Sequence, residues 1–463
     1  MAQVPHDIGQ ASPMRRLHSR GLPAGASRRV LTQWSVTAAA RVAGVVLRLA
    51  VAVVVSRLFG PLGLGLYVLT LSLSGGALVV ASLGLEAAAA RFTAHHVGRG
   101  ERSLVRGVLL FSCGASAAAG LVLAAALLVG AGQLAVWLRQ PEVGDASRLA
   151  ALVVLVGSAG AVARAGLTGL DGARSAAVLE QVVPPLVAIP ALVGMHAAGW
   201  DSPVAGAIAG SLGQVLTSVA SLATLYVRAG PFRAPAAFTP GPWLRFSLPM
   251  WLERALFFLI ASTGYFVVAR WRGANEVALF GAAARVALLV ALPLEAAASI
   301  LGPMFARLSA RGEWGELQRT YARATWALLV AGVGLGAVTL VGGRWALTGF
   351  GAGFGAGYTT LVLLVVGQVV SSGTGPCGLM MVMTGHVGAR VANVALGAFV
   401  AVTLTVLAVP RWGAPGAAGA IAVATAVLNI RQVYEVRRLI GLRAYDLRAS
   451  GPEEPAVGSA AKR

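Results

Sequence analysis

The chain has 463 residues, 57% of them hydrophobic and only 12% charged, with a mean hydropathy of +0.77. That is about half the charged share of an ordinary soluble domain, too little to clothe a water-exposed surface of this size. The formal net charge is nevertheless +20, from 37 Lys+Arg against 17 Asp+Glu, so the composition asks where an apolar protein places its cations.

Residues 1–30 are polar and basic and lack the short apolar run of a signal peptide, which reads as a cytoplasmic tail. Apolar segments follow near 32–57, 64–88, 104–130, 149–170, 175–197 and 204–227. A proline-rich stretch, 229–243, reads as a cytoplasmic linker. Six more segments lie near 244–269, 277–305, 320–342, 358–383, 390–410 and 416–438. Each is long enough for a helix to cross about 30 Å of hydrocarbon. Strand alternation is absent over comparable lengths, and a spanning segment must satisfy its own backbone, so the segments are helices. The expected fold is an all-α polytopic membrane protein of about twelve transmembrane helices. Residues 31–228 form an N-lobe and 244–440 a C-lobe, and 441–463 form a second cytoplasmic tail, read as disordered. Pro184, Pro185, Pro190, Pro249, Pro293 and Pro303 fall inside spans and predict kinks there.

Arginine orients the chain; Lys462 is the only lysine. With both tails and every second loop on the cytoplasmic side, that side holds 26 cations, the opposite side seven and the spans four. Arg164 and Arg390 are counted among the cytoplasmic loop residues. The asymmetry follows the positive-inside rule and places both termini in the cytoplasm. Sorted by depth, the net charge describes topology, and nucleic acid drops out as a partner.

The two halves repeat. Val54-Val55-Ser56-Arg57 with Gly60 matches Val267-Val268-Ala269-Arg270 with Gly273, and Arg41 falls on Arg254 at the same offset of 213. Gly100-Glu101 matches Gly312-Glu313, Thr168-Gly169 matches Thr384-Gly385, and Gly206-Ala207-Ile208-Ala209 matches Gly419-Ala420-Ile421-Ala422. Each copy holds six helices, an even number, so the copies share one orientation. This predicts two lobes related by a pseudo-two-fold along the membrane normal, an architecture suited to a cavity that opens alternately to each side.

Arg41, Arg48, Arg254 and Arg285 lie within the spans. An intramembrane charge costs about 2.5–3.5 kcal/mol on insertion scales unless it faces a wet cavity or a partner. Arg41 and Arg48 are seven residues apart and share a helix face. Gathered on one cavity, the four would make a cationic site, and guanidinium forks suit phosphate. The competing reading is ion pairing with Glu253, Glu295 and Glu180, of which Glu253 or Glu295 could instead carry a coupling proton.

Cys113 and Cys377 sit in apolar runs and imply neither a disulfide framework nor a metal cluster. The six histidines show no ligand spacing, and no dinucleotide, P-loop or nucleophile-elbow motif occurs. No metal, cofactor or catalytic residue is expected. The longest far-side loop, near 131–148, carries Arg139, Glu142, Asp145 and Arg148 but no acid–base set.

Val55-Ser56-Arg57-Leu58-Phe59-Gly60-Pro61, Ser82-Leu83-Gly84-Leu85, Arg245-Phe246-Ser247-Leu248-Pro249 and Leu279-Phe280-Gly281 through Arg285 resemble Wzx-type polysaccharide flippases. Pro410-Arg411-Trp412-Gly413 through Ala418 is similar to that family's closing pattern. The resemblance spans about 32–438, and its motifs are shared across the MOP superfamily, which includes MATE exporters and the MurJ lipid II flippase. It implies movement of a polyprenyl-diphosphate-linked oligosaccharide from the cytoplasmic to the outer leaflet of a bacterial inner membrane. It further implies alternating access driven by an ion gradient, with a polysaccharide polymerase and glycosyltransferases as partners. Two alternatives stay open at this point: a MATE-like small-molecule exporter, which would want an acidic cavity, and a membrane polymerase or ligase.

Overall fold

A computed structural model describes residues 24–171, 173–229 and 235–448. Every regular element among them is a helix, as expected where the surroundings offer the backbone no water. The first half comprises α1 (Ala24–Ser82), α2 (Leu85–Gly98), α3 (Arg102–Val129), α4 (Ala131–Leu138), α5 (Val143–Asp171), α6 (Ala173–Gln181), α7 (Val183–Ala197) and α8 (Ala205–Ala229). The second comprises α9 (Pro240–Arg272), α10 (Ala274–Ala287), α11 (Leu292–Arg311), α12 (Trp314–Thr348), α13 (Tyr358–Gly373), α14 (Cys377–Met383) and α15 (Val387–Ile440).

Ten of the described helical stretches are long and apolar enough to cross a membrane. Two of them hold a break. In α1 the backbone leaves helical geometry at Gly60 (φ 71°, ψ −175°), and in α15 it does so at Gly413 (φ 57°, ψ −137°). Such angles are close to inaccessible without glycine. Each break separates two spans, so the chain makes twelve crossings, six per lobe.

The fifth and eighth spans are broken near their prolines as their sequence predicts, whereas α9 runs unbroken through Pro249, and α7 and α11 run unbroken through Pro190 and Pro303. The fifth is α6 followed by α7, which opens on Pro184 and Pro185 in its first turn, where a missing N–H costs nothing. The eighth is α10, a 3-10 turn at Leu288–Ala291, and α11 with Pro293 near its start. The second span breaks at Leu83 (φ 49°) and Gly84 (φ 70°) and continues as α2.

Repeat-matched glycines share backbone geometry. Gly273 (φ 87°, ψ 172°) adopts the conformation of Gly60, and Gly312 (φ 70°) that of Gly100 (φ 72°). Within the N-lobe, α3 and α8 pack on α5. A side chain at Gly160 would run into Ser218, and one at Gly120 into Ser158, so these glycines set the close approach of the helices. Val122, Val330, Val338, Phe399 and Leu407 are exposed on the outside of the lobes, an apolar belt that fits lipid rather than water.

Two boundaries differ from expectation. Pro240 and Pro242, assigned to the linker, instead open α9, because proline is well placed in a first turn; 230–234 lie outside the described residues. The stretch 441–448, assigned to a disordered tail, is docked. The Gln318 amide donates to the carbonyls of Arg443 (2.7 Å) and Asp446 (2.8 Å) and accepts from the Arg443 N–H (2.9 Å). The Tyr445 hydroxyl donates to the Gly373 carbonyl, and Leu442 and Ala444 are buried. These bonds satisfy backbone groups that an apolar-anchored segment would otherwise leave unpaired. Residues 1–23 and 449–463, parts of the two expected tails, lie outside the described residues.

Candidate functional site

The lobes close against each other on the side away from the described chain ends. Arg57, at the far end of the first span, donates from Nε to the Gly349 carbonyl (2.7 Å) and from Nη2 to Thr348 (3.1 Å) across the lobe boundary. Gly65 of the second span lies so close to the Ala274 carbonyl that no side chain fits between them.

On the near side the lobes part around a cavity of about 500 Å³. The first span contributes Thr37, Arg41, Val45 and Arg48; the end of α5 and α6 contribute Thr168, Ala177, Glu180 and Gln181; the eighth span contributes Leu288, Leu292 and Glu295. A second cavity of about 320 Å³ shares Thr168, Ala176 and Glu180 with the first and adds Glu86, Arg164 and Arg254. Both lie between the two lobes.

The guanidiniums fall into two groups. Arg41 faces Glu295 across the lobe boundary at 3.6 Å, and Arg254 is in direct contact with Glu86. Arg48 donates from Nη1 to the neutral Gln181 Oε1 (2.7 Å). Arg285 donates to the Gly281 carbonyl of its own helix (3.1 Å), and its guanidinium lies 5.5 Å from the Tyr67 ring centre. Arg164 buries Nη1 with no hydrogen-bond partner among the described residues. The Glu180 carboxylate acts electrostatically on both Arg48 and Arg164. Among the described residues, Arg48, Arg164 and Arg285 thus carry no direct carboxylate bond, and each retains N–H donors in a fork matched to phosphate. Along the first span, Arg48 lies roughly 10 Å deeper than Arg41, and Arg285 is close enough to Arg48 to act on it electrostatically. Arg41 and Arg48 therefore stand at two depths on the path from the cavity mouth toward the closed far side.

Of the four arginines named from sequence, Arg41, Arg48 and Arg254 line these cavities, with Glu180 and Glu295, whereas Arg285 lines neither and packs against Tyr67. Glu253 does not: its carboxylate accepts from Arg390 Nε at 2.5 Å, joining α9 to α15 inside the C-lobe, with side chains only 14% and 18% exposed. Arg390, counted as a loop cation, belongs to the first turn of α15. Two site residues were missed. Arg164, also counted with a loop, is helical and lines the cavity. Glu86 was overlooked although it lies within the second apolar segment; its intramembrane position was the available signal.

The polysaccharide biosynthesis protein family matches residues 30–309, more than half of the chain. The chain belongs to this family. No curated protein matches it in sequence. Solved structures share its fold at low identity. An inward-facing multidrug-resistance MATE transporter of the MOP superfamily superposes with a TM-score of 0.69 at 19% identity, over 85% of this chain and 94% of that one. The lipid II flippase MurJ in an inward closed conformation gives 0.67 at 12% identity, covering 87% of each. A MOP transporter from Pyrococcus furiosus, described as having a binding pocket of reverse polarity that suggests a different function, gives 0.64 at 18% identity, over 88% and 94%. This polysaccharide biosynthesis protein shares the fold of those MOP-superfamily transporters. Its fold is the expected one of twelve helices in two pseudo-symmetric lobes.

Proposed function

We propose that this protein is a flippase that carries a polyprenyl-diphosphate-linked oligosaccharide from the cytoplasmic to the outer leaflet by alternating access, driven by an ion gradient. The observation that carries the reading is the charge of the cavity between the lobes. Arg41, Arg48, Arg164 and Arg254 line the two cavities against Glu86, Glu180 and Glu295, and Arg48 and Arg164 have no carboxylate bond among the described residues. A diphosphate needs guanidinium forks in a space wide enough for a sugar, while its apolar tail stays in lipid. An exporter of organic cations would want the opposite polarity. Arginine-rich ends put the cavity mouth on the cytoplasmic side. No bond is made or broken, so the residues bind and orient rather than catalyse. Glu253 is held by Arg390, so the candidate groups for a coupling ion are the cavity carboxylates, Glu295 among them.

Depletion of the protein is expected to accumulate lipid-linked oligosaccharide on the cytoplasmic leaflet, measured by accessibility to a membrane-impermeant glycosidase. Failure to accumulate it, or a change only in polymer length, would sink the flippase reading and favour a polymerase.

A further inference from the structure

Two ion pairs among the described residues tie one lobe to the other, their arginines are repeat-matched, and their glutamates hold similar places in the two halves. In the first, Arg41 of the first span meets Glu295 of the eighth. In the second, Arg254 of the seventh span meets Glu86 of the second. Arg41 and Arg254 are repeat-matched residues. Glu86 lies in the first turn of α2, where the second span resumes after its break. Glu295 lies in the first turn of α11, where the eighth span resumes after its own. The first span of each half thus offers an arginine to the second span of the other half. A two-fold axis makes such a motif twice, once at each seam.

The two pairs differ in the exposure of their carboxylates. Arg254 and Glu86 touch beside the smaller cavity; the Arg254 side chain is 53% exposed but Glu86 only 11%, and the neighbouring contacts between the lobes are close. Trp251 donates from Nε1 to the Val79 carbonyl (3.0 Å), and Gly84 lies against the Ser247 carbonyl. Arg41 and Glu295 are 3.6 Å apart and 42% and 64% exposed, beside the larger cavity. One carboxylate is buried at its seam and the other is open to the cavity.

We infer that Glu295 and Glu86 are anionic placeholders: each holds its arginine while the cavity is empty and releases it, with the seam, to an incoming diphosphate. The anionic class of ligand rests on the flippase reading; the latching of the lobes does not. A carboxylate and a phosphate compete for the same guanidinium face. An anion that displaces Glu295 from Arg41 also removes a bond between the lobes. Linkage then requires that weakening the bond favour the anion. Glu295 yields first, because its carboxylate is 64% exposed against 11% for Glu86.

The test uses the full chain in lipid nanodiscs, in a background with Cys113→Ala and Cys377→Ala. Binding is measured with farnesyl diphosphate and with inorganic pyrophosphate, which separates a lipid-linked from a free source of the anion. Glu295→Gln is expected to bind farnesyl diphosphate at least about threefold tighter than the parent, Glu86→Gln to gain less, and Arg41→Ala to lose about tenfold. Unchanged or weaker binding by Glu295→Gln overturns the placeholder role. A second arm needs no ligand: spin labels at the exposed positions 174 and 307 report the gap between the lobes. Glu295→Gln is expected to lengthen or broaden that distance, and Arg41→Glu combined with Glu295→Arg to restore it. A distribution identical to the parent's in Glu295→Gln, or no restoration by the swap, overturns the latch. If the parent binds neither diphosphate, the flippase reading fails, while the distance arm still decides the latch.

Discussion

Arg164 shows how much a single guanidinium depends on where its helix points it. It falls inside the fourth apolar segment but near its end, so counting by loops assigns it to topology. The structure carries α5 on to Asp171 and turns Arg164 toward the cavity, with Nη1 buried and without a partner among the described residues. A buried donor left unsatisfied is costly, and a phosphate oxygen would satisfy it. Arg164→Ala is therefore expected to lower export about tenfold or more, the scale of one charge-assisted hydrogen bond, at unchanged protein level. Arg164→Lys should recover little, because an ammonium lacks the fork. Arg174→Ala, at an exposed site beyond the end of α5, should leave export intact. Equal losses in Arg164→Ala and Arg174→Ala would assign Arg164 to general charge.

A second residue-scale contact lies outside the spans. The turn between α2 and α3 is closed by His96 Nδ1, which donates to Glu101 Oε2 at 2.5 Å. That hydrogen bond holds the Glu101 carboxyl below its ordinary value of 4.5. A carboxyl whose folded pKa is depressed contributes stability above its unfolded pKa and loses it as pH falls through the folded one. The thermal midpoint of the detergent-solubilised protein should therefore carry a Glu101-dependent decrease below about pH 4.5. Glu101→Gln should lower the midpoint at neutral pH and flatten that acid limb. An acid limb of the same steepness in both proteins would show that the contact contributes nothing.

At the scale of elements, punctuation decided what could be read. Prolines marked the breaks in the fifth and eighth spans because they cannot donate to the helix ladder. The matched glycines were readable as a repeat, but their shared left-handed φ was not, since glycine is compatible with a helix as well as a break. Gly60 and Gly273 occupy a region of backbone space that is essentially glycine's alone. Gly60→Ala and Gly273→Ala are each expected to destabilise by about 1–3 kcal/mol, measured as a lower thermal midpoint. Gly114→Ala, on an open helical surface of α3, should be neutral or stabilising by up to about 1 kcal/mol. If Gly60→Ala behaves like Gly114→Ala, the break does not demand glycine. The ion-pair partners were the least legible feature. Glu253 stands next to Arg254 in sequence, and adjacency on a helix puts neighbours on different faces. Arg390 therefore takes Glu253, and Arg254 takes Glu86 from the other lobe. Only the assembled lobes bring those residues together.

The whole molecule is two similar bodies with a seal on one side and a cavity on the other. The duplicated order of spans was visible in sequence, because an ordered set of matches outweighs chance in a chain rich in Ala, Gly and Val. The side on which the lobes touch was not visible, since it depends on approaches of backbone to backbone that no periodicity encodes. Gly65 is the tightest such approach on the far side: a Cβ there would collide with the Ala274 carbonyl, and backbone cannot step aside as a side chain can. The proposed alternating access requires this contact to open and re-form. Gly65→Val should therefore hold the far side apart and bias the lobes away from the arrangement seen here. Spin labels at Trp137 and Trp345, exposed on opposite lobes near the seal, should report a longer distance in Gly65→Val than in the parent. Gly132→Val, in open space on α4, should not change it. Export should fall in Gly65→Val even with every cavity arginine in place, because a transporter that cannot close on the far side cannot reset. A parental distance with parental export would mean that the lobes do not pivot at this contact.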